Sequence, residues 1–183
     1  MTSRKPVDRM GLRFICLAMA ALCFGGSVDA QTDTSATTQI RRLVQEIDRS
    51  KGYAVRTLEN EEFLEQMTDG GGELTGLTRN GQLVKMTERV GLSSCVTIAE
   101  YYFENTELVF VSVQGSEFAY VDSTASFDPG VQDLTMQAMF YYHNDHVLEV
   151  DLKGSTRCGG APTKEWATLY QVEANRLREL LMR

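Results

Sequence analysis

From Thr38 onward, apolar side chains recur at helical spacing. Ile40, Val44 and Ile47 lie on one side with Leu43 beside them, while Arg41, Arg42, Glu46 and Asp48 take the water-facing side. This pattern predicts an amphipathic helix, weakened at Gly52 and extendable through Tyr53, Ala54 and Val55 toward Leu58. Residues 59–67 read as a short helical turn or an irregular connection that carries Phe63 and Leu64 inward. Asp69-Gly70-Gly71-Gly72 then ends the local structure, because glycine holds neither a helix nor a strand.

From Glu73 the period changes to two. Residues 73–78 and 82–90 form a hairpin around Asn80-Gly81, a strong two-residue turn signal. Residues 95–114 form a second, turning at Glu104-Asn105-Thr106 between arms rich in β-branched and aromatic side chains. Residues 115–132, with Asp122, Asp128, Pro129 and Gly130, read as a long loop. A third hairpin joins 134–142 to 146–152 at Asn144-Asp145. Pro162-Thr163 opens a last helix, with Trp166, Leu169, Tyr170, Val172, Leu177, Leu180 and Leu181 spaced for an apolar face. The expected fold is a single α+β domain over 39–183, with a six-stranded antiparallel meander of three hairpins flanked by an N-terminal and a C-terminal helix.

Aligned on Asn80, Asn105 and Asn144, the hairpins share a pattern. Leu77, Tyr102 or Tyr141 stands three residues before the asparagine, Leu83, Leu108 or Val147 three after, and Met86, Val111 or Val150 six after. Over residues 73–153 the chain resembles the aromatic-turn-apolar hairpins of MORN-type repeats and, more generally, small exported bacterial α+β domains. It lacks the regular period and repeated glycines of MORN repeats, so the resemblance assigns no functional residue.

Leu148, Val150 and Leu152 alternate with Glu149 and Asp151, the pattern of a strand with one wet face. By contrast, residues 108–113 carry apolar side chains on both faces, Leu108 and Phe110 on one and Val109, Val111 and Val113 on the other. If both helices cover one face of the sheet, Tyr101, Phe103, Val109, Val111 and Val113 form an exposed patch suited to a protein partner or a second copy of the chain. The alternative is that residues 115–132 fold over that face with Phe118, Tyr120 and Phe127.

The N-terminus adds a compartment. Arg4, Lys5, Arg9 and Arg13 precede an apolar run of about a dozen residues and then Val28 and Ala30, the layout of a secretory signal peptide over 1–30. The run is shorter than the roughly 20 residues a membrane-spanning helix needs, so no such segment is expected in the mature chain. Leu22 before Cys23 disfavours a lipid anchor, and residues 31–38 read as a disordered polar leader. Cleavage leaves Cys95 and Cys158, which in an exported chain read as one disulfide closing a loop that contributes about 4 kcal/mol. Taking the signal's four basic and two acidic residues from 18 and 25 leaves 14 against 23, a net charge near −9. Such acidity argues against nucleic acid as a partner.

Candidate chemistry is sparse. His143 and His146 bracket a turn where Asp145 or Glu149 would complete a metal site. No G-x-S-x-G elbow or phosphate loop is present, and acidic pairs such as Glu61 with Glu62 fit a solvated surface. Tyr101, Tyr102, Tyr141 and Tyr142 suit an aromatic ladder across two hairpins. No cofactor is implied. The pattern favours a non-catalytic binding or interaction module, periplasmic or secreted. The rivals are a small enzyme or ligand carrier with a cleft under 115–132, and an inhibitor of a secreted enzyme. The enzyme reading requires at least two of His143, His146, Asp122, Asp128 and Glu149 to converge.

Overall fold

Three turns set the architecture. Asn80 and Gly81, Asn105 and Thr106, and Asn144 and Asp145 all have positive φ, at 53° and 78°, 50° and 75°, and 49° and 63° respectively. Two consecutive left-handed residues make the type I′ turn, whose twist matches that of the strands it joins. The computed structural model describes residues 29–183, with side chains from Ser35. It comprises α1 (Asp29–Arg49), β1 (Ala54–Glu59), β2 (Gly72–Arg79), β3 (Gln82–Leu92), β4 (Cys95–Glu104), β5 (Glu107–Val121), β6 (Ser126–His143), β7 (His146–Gly154) and α2 (Trp166–Met182). All seven strands pair antiparallel in sequence order.

Each of the three hairpins also carries a β-bulge at the same place. The register shifts between Leu77 and Thr78, between Tyr102 and Phe103, and between Tyr141 and Tyr142. The extra residues are Val84, Val109 and Leu148, each four positions after its asparagine. The asparagine-centred repeat is therefore a repeat of turn and bulge together. A bulge turns one residue to the opposite face, and Val84, Val109 and Leu148 accordingly pack in the cluster under α1.

The helices take opposite faces. Ile40 and Ile47 of α1 are buried with Tyr102, Val109, Phe110 and Tyr141. Ala167, Ala174, Leu177 and Leu181 of α2 are buried in the larger core, which includes Tyr101, Val111, Val113, Phe140 and Tyr142. Neighbours Tyr101 and Tyr102 thus serve different cores, as strand alternation requires.

Four expectations are corrected. The sheet has seven strands, because residues 54–59 extend as β1 instead of prolonging the helix. Gly52, at φ 82°, breaks the path, and the free edge of β2 takes up Val55 and Thr57, whose β-branched side chains favour extension. Residues 115–132 are not a loop over a cleft but the distal halves of β5 and β6, joined at residues 122–125. Pro129 and Gly130, read as loop punctuation, sit in a wide bulge where Phe118 pairs with Gln132 and Ala119 with Asp128. Residues 31–38, expected as a disordered leader, are helical within α1, and Thr37 is buried. Finally, neither sheet face is left bare for a partner, because one helix covers part of each. Of the expected signal peptide, only Asp29 and Ala30 are among the described residues, and the rest lies outside them. Among the described residues, no helix is long and apolar enough to cross a membrane.

Candidate functional site

The face under α2 is filled unevenly. At the C-terminal end of the helix, Leu181 seats on Gly76, where a Cβ would lie 2.9 Å from Leu181 Cδ1. Under the N-terminal half, β4 contributes the small side chains of Thr97 and Ala99 to the lining, with Ala99 itself buried in the core. A groove of about 560 Å³ results between α2 and strands β3 and β4, floored by Val90, Thr97 and Ala99. Leu169 and Val172, 63% and 66% exposed, stand at its lip on the helix side. Exposed leucine and valine beside an open apolar floor resemble a binding cleft more than a finished core.

Polar groups enter at few points. Glu88 follows Met86 and precedes Val90 on the α2 face of β3, and its Oε2 accepts a 2.7 Å hydrogen bond from the Tyr101 hydroxyl. Burial pushes the Glu88 carboxyl above its ordinary range. The Tyr101 bond opposes that shift, Glu173 adds to it, and Arg176 opposes it. The same burial, reinforced by Glu88, raises the Tyr101 phenol well above its usual value. On the helix side, Glu173 lines the groove and is held by Arg176, whose Nε donates to Glu173 Oε2 at 2.9 Å and whose Nη2 donates to Glu173 Oε1. Arg176 Nη1 also donates to the Phe63 carbonyl at 2.9 Å.

Aromatic rings form one wall. Tyr170 lies 6.0 Å from Tyr101, 5.9 Å from Phe140 and 6.1 Å from Trp166, centroid to centroid. Burial raises the Tyr170 phenol as well, with Glu88 and Glu173 adding to the shift. Tyr142 anchors the helix start by donating to the Ala167 carbonyl at 2.8 Å.

Cys95 and Cys158 stand at disulfide distance, with Cα atoms 6.5 Å apart and a sequence separation of 63. Cys95 begins β4, which floors the groove, and Cys158 lies in the strap that leads to α2. The strap is further held by Glu117, whose Oε1 accepts from the Arg157 backbone N–H at 2.7 Å and whose Oε2 accepts from Arg157 Nε at 2.8 Å. The pair therefore joins the two walls of the groove.

The residues singled out from sequence fall elsewhere. Tyr101, Phe103, Val111 and Val113 are buried in the α2 core, and Val109, moved by its bulge, is buried under α1. They form scaffold, except that the Tyr101 hydroxyl reaches Glu88. His143 and His146 are exposed cross-strand neighbours at the β6–β7 turn. Their proposed companions are engaged elsewhere: Glu149 with Arg41 at 2.8 Å, and Asp145 with Gln171 at 3.3 Å. Among the described residues, no group of three or more His, Cys, Asp or Glu is placed to hold a metal. Asp122 and Asp128 sit near the tip of the β5–β6 arm, at the other end of β6 from His143, so the five residues of the enzyme reading do not converge.

Glu88 was the residue missed. Its signal was present in Met86-Thr87-Glu88-Arg89-Val90, where period two places one acid on an otherwise apolar face. No protein-family model, curated protein or solved structure matches the chain.

Proposed function

We propose that this chain is an exported, non-catalytic binding protein that takes an apolar ligand into the groove beneath α2. The observation that carries the reading is the groove itself, about 560 Å³ of largely apolar space open to solvent. Its volume lies within the range of small-molecule sites, roughly 300–1,000 Å³. Export is supported by the signal-like layout of residues 1–30 and by a cysteine pair at disulfide distance.

Nile red, a neutral apolar dye, tests the site. Its emission brightens and shifts blue on mixing with the protein. Thr97→Phe, which fills the floor with a side chain suited to a strand, abolishes the response while leaving the far-UV circular dichroism unchanged. Folded wild-type protein that gives no dye response overturns the reading.

A second reading, contact with another protein, is favoured by the β5–β6 arm. Tyr120, Val131 and Leu134 are all more than half exposed there, along a projecting hairpin.

A further inference from the structure

We propose that the ligand of the groove is an amphipathic monocation, an alkyl- or arylammonium compound whose charged nitrogen sits against Glu88 and whose apolar part lies along Val90, Ala99 and Leu169. This rests on the groove being a binding site and names the chemistry it selects. The charged side chains that line it are Glu88 and Glu173, with no lysine, arginine or histidine among the lining residues. The nearest guanidinium, Arg176, is occupied by both oxygens of Glu173 and by the Phe63 carbonyl.

Glu88 has capacity to spare. A carboxylate has room for about four hydrogen bonds, yet among the described residues Glu88 accepts one, from Tyr101, and it is not a buried orphan, so its remaining lone pairs are left to solvent. An ammonium group supplies the missing donors and the opposite charge together, and such charge-assisted bonds strengthen where water is excluded. The rings of Trp166 and Tyr170 line the same groove, and aromatic faces attract cations, tryptophan most strongly. An anionic ligand would meet two carboxylates and no free cation. A neutral ligand would cover Glu88 without replacing the water it loses.

Trp166 is the only tryptophan of the chain and lines the groove, so its fluorescence reports occupancy directly. Three probes that share a twelve-carbon chain, dodecylammonium, dodecyl maltoside and dodecanoate, are titrated below their micelle-forming concentrations. One charge-assisted hydrogen bond predicts that the ammonium binds about tenfold or more tighter than the neutral maltoside. The carboxylate is expected to bind weakest. Glu88→Gln, which keeps the shape and can still accept from Tyr101, brings the ammonium to the affinity of the neutral probe and leaves the latter unchanged.

The groups facing Glu88 are Tyr101 from β4 and Glu173, Arg176 and Tyr170 from α2. The cation preference of the wild-type protein fades as pH falls and Glu88 takes up its proton. If maltoside or dodecanoate binds wild-type protein as tightly as dodecylammonium, the ammonium assignment is overturned while the groove stands as a site. If none of the three perturbs Trp166 and Nile red also fails, the binding reading itself falls.

Discussion

Glu88 sets stability against the ligand-binding role proposed for it, within one side chain. Burial raises its carboxyl pKa in the folded protein, with Glu173 adding to the shift while the Tyr101 bond and Arg176 oppose it. A raised acid contributes its stability below the unfolded pKa, and that contribution is lost as pH rises through the folded value. At neutral pH the ionised Glu88 is therefore a cost to the unliganded fold. Glu88→Gln removes the charge without altering volume, and the variant should unfold at higher urea concentration than wild type at pH 7. The difference should shrink as the pH is lowered below the carboxylate range, where both side chains are neutral. Urea titrations of the two proteins across that range check this, and equal midpoints at neutral pH would show that Glu88 is solvated and has no such role. A carboxyl that weakens the fold when empty, and that would gain partners in the proposed complex, would follow the common conflict between stability and function.

At the scale of elements, α1 is fastened by charges that helical periodicity assigned to water. Arg41 donates to the Tyr141 hydroxyl at 3.2 Å and to Glu149 at 2.8 Å. Lys85 bridges Asp48 at 2.9 Å and Glu100 at 2.7 Å, with its side chain only 12% exposed, and the Tyr102 hydroxyl donates to Asp48 at 3.0 Å. Burial acts against the Lys85 charge, but its bonds to Glu100, Tyr102 and Asp48 prevail and hold the pKa above the ordinary lysine value. Lys85→Met should destabilise the protein by about 2 kcal/mol, because it leaves Asp48 and Glu100 without their shared cation. The raised pKa means this contribution is fully present below the ordinary lysine value and is lost as pH rises from there through the folded value. A double-mutant cycle with Asp48→Asn, followed by urea unfolding, measures the coupling, and strictly additive losses would remove the fastening role.

The same elements show what could be read in advance. The three hairpins were legible because each asparagine marks a turn that needs left-handed residues, and type I′ geometry fixes the pairing around it. β1 was not, since an edge strand with only Leu58 buried carries almost no periodic signal and forms because β2 offers it an edge. The bulges were invisible too, and with them the side on which Val109 lies, because one inserted residue changes the face without changing composition. The groove was the least legible feature, since it depends on how α2 sits over a stretch of sheet lined by small side chains at Thr97 and Ala99, and no sequence pattern marks open volume.

For the whole molecule, the Cys95–Cys158 pair decides how firmly the two walls of the groove are joined. The chain between them runs through β4, β5, β6 and β7 and returns by the strap beside Trp166, where a Cβ on Gly159 would lie 3.8 Å from the Trp166 ring. A bond here closes a loop of 63 residues in separation, and limiting the unfolded chain by that length is worth about 4 kcal/mol. Its local effect centres on the groove, because the strap and the start of α2 are otherwise held through β5 and β6, by the Glu117–Arg157 pair and by the Tyr142 bond to Ala167, while Tyr170 packs on Tyr101 of β4. Cys158→Ser should therefore lower the unfolding free energy by about 4 kcal/mol. Trp166 emission should also shift to the red before the sheet unfolds, as the strap loosens and water reaches the groove. The matching measurement on wild-type protein purified without reductant is its intact mass before and after reduction, where a gain of two hydrogens marks the bond. Unchanged mass and two titratable thiols would show that the pair is reduced, and the stability difference between wild type and Cys158→Ser should then collapse to that of a small buried substitution.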